Sequence, residues 1–264
     1  MARVNLALLL FPCVLAAQSP LGLVNLRTDT AAAFDQYVAQ AEARMKPEPR
    51  SKPRDGKIHI ESAAAYYSEP DARVPGGMLQ DWVGTIFIPS ASLSQVKALL
   101  QDYETYKTFY QPEVIESKQT AHNGDEYDIF LRLYEKHVLT VVLNANYHVR
   151  YTAPDAQHLL VTSHSTRIAE VKNPGKSYTD EYTVGNDSGF LWRLNSYWRF
   201  EAADGGVYAE CEAISLSRDV PFGLGFLLKG FLESFPKESM INTLQGTKQA
   251  IERHQSANPA SSGQ

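Results

Sequence analysis

Cysteine is the scarcest informative residue of this 264-residue chain: there are two, Cys13 and Cys211. Cys13 falls inside an apolar N-terminal run with the marks of a signal peptide, so the mature chain keeps one thiol and cannot close an internal disulfide. Its stability has to come from an ordinary packed core. Basic residues are also in deficit, 25 Lys and Arg against 30 Asp and Glu, for a net charge of −5. Nucleic-acid binding leaves a basic footprint, so no nucleic-acid partner is expected. Past the first residues no apolar run approaches the ~20 residues that span a bilayer, and no transmembrane segment is expected in the mature protein.

The sequence also lacks the constellations that carry chemistry. Seven histidines are scattered without His-Glu-x-x-His or a Cys/His spacing, so no metal is expected. His158 and His164 share a strand face and read as solvated or capped side chains. There is no phosphate loop and no dinucleotide fingerprint. Gly223, Gly225 and Gly230 sit among Phe and Leu with no Lys-Ser/Thr after them. A Gly-x-Ser-x-Gly elbow is missing, and Cys211 falls mid-strand, where an inert core thiol is expected. No cofactor and no catalytic residue are assigned.

What is present begins at the N-terminus. Met1-Ala2-Arg3, the apolar run Leu6–Leu15 and Ala16-Ala17-Gln18 have the form of a secretory signal peptide spanning 1–17, cleaved after Ala16 or Ala17. The mature protein is then periplasmic or extracellular. Pro12 stands where a lipidation signal needs a small residue, so Cys13 is not expected to carry a lipid. Thr28-Asp29-Thr30 reads as an N-cap for a helix over Ala31–Met45, and Lys46–Gly56 as a charged, Pro-containing linker. Residues 18–56 are therefore expected to be an appendage, 57–254 the main domain and 255–264 a polar disordered tail.

Within the domain, strands are expected at Lys57–Ser62 and Met78–Ile88, then a helix capped by Ser92, with Leu93, Val96, Leu99 and Leu100 on one face. Strand patterns follow at Val114–Thr120, Glu126–Tyr134, Val138–Tyr151 and His158–Val171. A loop over Lys172–Ser188 contains one short strand, Tyr178–Val184. Two runs, Phe190–Glu201 and Val207–Asp219, flank Asp204-Gly205, a strong hairpin signal. That turn pairs Phe200 with Ala209, Trp198 with Cys211, Ser196 with Ala213, Leu194 with Ser215 and Trp192 with Ser217. The other face pairs Arg199 with Glu210 and Tyr197 with Glu212. Pro236 is expected to divide the last segment into two helices, Gly223–Glu233 and Pro236–Arg253.

Strand, helix, serial antiparallel strands and a long terminal helix make an α+β order. With the stretches Asp81-Trp82-Val83-Gly84-Thr85, Leu99-Leu100-Gln101-Asp102-Tyr103 and Gly189-Phe190-Leu191-Trp192, the chain resembles the START/Bet v 1-like (SRPBCC) superfamily over residues 76–253. Its texture is that of an exported bacterial branch near the lipid- and ubiquinone-binding members. The resemblance implies a helix-grip fold: a curved antiparallel sheet wrapped around a C-terminal helix, with an extra N-terminal helix here.

Such a sheet, with one bulky aromatic face opposite small residues, leaves room for a ligand. The expected site is Trp192, Leu194, Trp198 and Phe200 on the sheet, with Phe226, Leu227 and Phe231 as a cover loosened by Gly223, Gly225 and Gly230. Small partners at Ala209, Ala213, Ser215 and Ser217 supply the space. Arg132, His148 and Arg193 are polar candidates, Arg193 on the outer face, and Asp128 with Arg132 reads as a surface ladder pair. The expected function is a non-catalytic carrier or sensor for a hydrophobic small molecule or lipid, which calls for a cavity of roughly 300 Å³ or more. Two alternatives stand beside it. One is a protein–protein adaptor with a filled core, and the other a cyclase/dehydratase-type enzyme using Asp128, Arg132 and His148.

Overall fold

The computed structural model describes residues 22–136, 140–219 and 225–257, with side chains of the last helix from 235 to 256. The signal-peptide reading lies outside the described residues, as do Phe222 and Gly223.

Eight antiparallel strands form one sheet. They are β2 (His59–Ser62), β3 (Gly77–Pro89), β4 (Val114–Asn123), β5 (Glu126–Lys136), β6 (Thr140–Thr152), β7 (His158–Glu170), β9 (Arg193–Ala203) and β10 (Gly206–Arg218). Their order is β2-β3-β10-β9-β7-β6-β5-β4. β1 (Val24–Asn25) and β8 (Asn186–Asp187) pair separately. The helices are α1 (Thr28–Arg44), α2 (Ala63–Tyr67), α3 (Leu93–Gln101), α4 (Tyr106–Phe109) and α5 (Gly225–Ala257), with a 3-10 turn at Tyr103–Thr105.

The β9–β10 turn has Asp204 and Gly205 both at positive φ, 55° and 76°, the backbone a two-residue hairpin needs. The ladder sets Phe200 opposite Ala209, Trp198 opposite Cys211 and Arg199 opposite Glu210, as expected. α3 starts with a full capping box between Ser92 and Gln95. α5 buries Met240, Leu244, Thr247 and Ile251, a stripe at helical spacing, against the sheet. It can sit this close because β3 offers Gly84. A Cβ there would stand 2.5 Å from Leu244 Cδ1 and 2.9 Å from Met240 Cγ.

Four expectations are corrected. α5 is one helix of 33 residues with Pro236 inside it, not two. Proline removes one intrahelical hydrogen bond but accepts helical φ, and the packing of the following turns outweighs the break. The segment 178–184 forms only isolated bridges, Val171 with Glu181 and Thr183 with Asn186, and not a strand. Asp128 and Arg132 do not pair with each other; each bonds across to a neighbouring strand.

The fourth correction concerns α1, which is packed onto the sheet and is no appendage. Phe34 and Ala41 join Trp192, Tyr197, Ile214 and Leu216 in a second apolar cluster on the face away from α5. Polar groups fasten the same layer. Arg44 Nη2 donates to Glu212 Oε1 at 2.9 Å and to Asp81 Oδ2 at 3.1 Å, while Tyr37 donates to Asp81 at 2.7 Å. Tyr67 donates to Glu212 at 2.6 Å, Tyr66 to Glu210, and Arg199 pairs with both carboxylates. Arg199, Glu210 and Glu212 are almost completely buried. A buried charge is tolerable only when paired and hydrogen-bonded, and these are. β9 and β10 are therefore covered on both faces.

Candidate functional site

A cavity of about 240 Å³ lies between the inner sheet face and α5. One wall is Leu194 and Trp198 of β9 with Cys211 and Ala213 of β10. The opposite wall is Ile129, Leu133, Leu143, Tyr147 and Val149 of β5 and β6. α5 closes it with Phe235, Pro236, Ser239, Met240 and Thr243, and Tyr103, Tyr106 and Tyr110 close one end. The walls are mainly apolar with a few polar groups, the composition of small-molecule sites. The space exists because Ala213, Ser215, Ser217, Ser196 and Ser163 line the sheet side where larger residues would fill it. Its volume falls short of the roughly 300 Å³ expected from the sequence, so the room suits a compact ligand or one portion of a longer one.

The expected site residues separate. Leu194 and Trp198 line the cavity. Phe200 lies behind Trp198, stacked on it with ring centroids 5.3 Å apart, and is fully buried in the core. Ala209, its ladder partner, belongs to the same packed layer. Trp192 is on the wrong face for the site. It precedes the strand, its N–H bonds Leu216 O at 2.8 Å, and its indole donates to Asp187 Oδ1 at 3.0 Å under α1. Strand alternation does not extend back to it, because Gly189 turns the chain at φ +71° three residues earlier. The backbones of Phe226, Leu227 and Phe231 lie in the first turns of α5, and their side chains are outside the described residues.

The polar candidates do not line the cavity. Arg132 Nε donates to Asn144 Oδ1 at 2.9 Å and its guanidinium pairs with Glu116. His148 Nδ1 contacts Asp128 Oδ1 at 2.8 Å. Arg193 donates to the Trp192 carbonyl at 2.9 Å. His158 and His164 are paired with Asp155 and Glu42. Cys211 is buried and its thiol is pushed far up by desolvation, which leaves it unreactive.

Two cavity features were missed in the sequence. One is a set of buried tyrosines. Tyr103 and Tyr151 share a hydrogen bond of 2.8 Å, Tyr106 and Tyr151 donate to Leu100 O, and Tyr110 meets Thr247 Oγ1 at 2.9 Å. Burial raises every one of these phenols, Tyr110 to about 12. The other feature is Glu113, which accepts from Asn242 Nδ2 at 2.8 Å. Burial, aided by Glu135 and Glu238, pushes its carboxyl up to about 7. The signal for the tyrosines was the 14 in the sequence, several in the inward positions of β6 and around α4. Nothing local marked Glu113.

Among the described residues no group of three His, Cys, Asp or Glu is arranged to hold a metal, and no helix is long and apolar enough to cross a membrane.

No protein-family model matches the sequence, and no curated protein is detectably similar to it in sequence. Solved structures are similar in fold. One is the STAR-related lipid transfer protein from Xanthomonas axonopodis, 16% identical with a TM-score of 0.50, the match covering 78% of this chain and 99% of that one. Another is human STARD10, at 11% identity and TM-score 0.49, covering 91% and 87%. A third is a Streptomyces aromatase/cyclase, at 10% and 0.49, covering 70% and 99%. At such identities the likeness is one of fold: the chain has the START-type helix-grip fold, an antiparallel sheet closed by a C-terminal helix.

Proposed function

We propose that this protein is an exported binder of a compact hydrophobic molecule or of one portion of a lipid, a carrier or sensor without catalysis. The observation that carries the reading is the cavity itself, apolar-walled and flanked by Trp198. The description of the Xanthomonas neighbour as a lipid transfer protein points the same way, as fold-level analogy. The enzyme reading needs an acid/base pair in the cavity, whereas Asp128 and His148 pair with each other and Arg132 with Asn144 and Glu116, all outside its lining.

The adaptor reading has one observation in its favour, a volume of about 240 Å³ against the roughly 300 Å³ at which pockets for drug-sized ligands begin. Native mass spectrometry of the secreted protein separates the two. The binder reading expects a co-purified apolar molecule, or quenching of tryptophan fluorescence when short-chain lipids or quinones are titrated in. A bare chain of calculated mass that responds to none of them overturns it and leaves the adaptor.

A further inference from the structure

We infer that the ligand is an amphiphile whose polar end carries no negative charge and donates hydrogen bonds to Glu113, with an oxygen further along its length facing Tyr147. This rests on the binder reading.

Sign of charge is the first ground. Glu113 lines the cavity, and among the described residues no Lys, Arg or His lines it. An anionic head brought there meets like charge. Among the described residues Glu113 holds a single neutral donor, Asn242, on Oε1. A carboxylate has about four lone-pair sites, so it can take further donors from a ligand.

Tyr147 is the second, independent ground. It is 5% exposed, lines the same cavity, and among the described residues nothing bonds its hydroxyl. The other buried tyrosines of the lining, at 103, 106, 110 and 151, all have partners. A ligand oxygen in the cavity would accept from that hydroxyl. The register separates the two polar points. Val114, next to Glu113, stands opposite Leu133, which pairs with Leu143; Ile129 pairs with Tyr147. Leu143 and Tyr147 lie four residues apart on β6, about 13 Å at ~3.3 Å per residue. The stretch between them is walled by Ile129 and Leu131.

The test uses the mature protein at pH 8 and four twelve-carbon probes: dodecylamine, 1-dodecanol, dodecanoate and 1,12-dodecanediol, read by tryptophan fluorescence and calorimetry. Dodecylamine and dodecanol are expected to bind at least tenfold tighter than dodecanoate. Glu113→Gln should shrink that ratio several-fold without unfolding the protein. The diol should bind several-fold tighter than dodecanol, and Tyr147→Phe should abolish that gain, bringing the two affinities together. Dodecanoate binding as tightly as dodecylamine overturns the inference while the binder reading stands. A diol advantage that is absent, or that survives Tyr147→Phe, overturns the role of Tyr147. If none of the four binds, the binder reading falls and this inference with it.

Discussion

Arg44 of α1 and Glu212 of β10 are 168 positions apart in sequence, and their side chains meet at 2.9 Å. Glu212 is fully buried, and on its other side Arg199 and Tyr67 hold it. The contact fixes the N-terminal helix to the sheet face opposite the cavity. Arg44→Met would leave Glu212 and Asp81 short of a countercharge. Removing one partner of a buried pair typically costs ~3–5 kcal/mol. Arg44 keeps some exposure, so a loss at the lower end, about 3 kcal/mol, is expected from urea unfolding. A loss below about 1 kcal/mol would show α1 to be a loose attachment.

Gly84 offers a second test of how the cavity is built. A larger residue there pushes on Leu244 and Met240, the turns by which α5 sits on β3. Gly84→Val is expected to cost about 1–3 kcal/mol, the usual range for overpacking. It should also weaken ligand binding, because Met240 is shared between this contact and the cavity wall. Thermal unfolding and the probe titrations measure the two effects separately.

Trp198 and Phe200 are stacked, yet the first alone lines the cavity. Trp198→Ala should abolish most of the ligand-dependent fluorescence change and cost ~3–5 kcal/mol of stability. Phe200→Leu should lower stability by a smaller amount and leave affinity for the probes within about threefold. Equal losses of affinity in the two variants would mean that Trp198 acts only as core.

Stability should fall as pH rises from about 4 towards 8. Asp81, Glu113 and Glu170 are buried carboxyls pushed up to about 7. Their folded forms hold protons that the unfolded chain has already released, so unfolding loses protons and deprotonation favours it. Asp29, Asp55, Asp155 and Glu181 are held low by Arg27, His59, His158 and Arg167, and their contribution disappears in acid. A maximum near pH 4 is expected in urea midpoints. Glu113→Gln should flatten the decline above it, and an unchanged slope would remove Glu113 from the account.

At the N-terminus, the Leu6–Leu15 run followed by Ala16-Ala17 calls for a mature chain beginning near Ala17 or Gln18. Sequencing of secreted protein tests this, and an intact Met1 in the soluble cytoplasmic fraction would contradict it.

The hairpin was legible because its information is local. Asp204-Gly205 sets the turn, and a period of two then assigns every partner from Leu194 to Phe200. The same rule failed at Trp192, where the strand has already ended. The place of α1 was illegible for a different reason. Arg199, Glu210 and Glu212 alternate with apolar residues as a solvent-facing ladder does, and what buries them lies more than a hundred residues upstream. Of the cavity lining, the sequence pointed to Leu194 and Trp198 and misplaced Trp192 and Phe200. It did not reveal Tyr147 or Glu113, whose meaning comes from which partners the fold withholds or supplies.

The Arg44–Glu212 contact also orders the life of the chain. A ribosome delivers α1 early and β10 late, so Tyr197, Ile214 and Leu216 become available to Phe34 and Ala41 only near the end of synthesis. A 17-residue helix is marginal alone in water. Contacts of such separation pay their loop-closure entropy last. The layer that α1 completes therefore cannot close before the final strands are made.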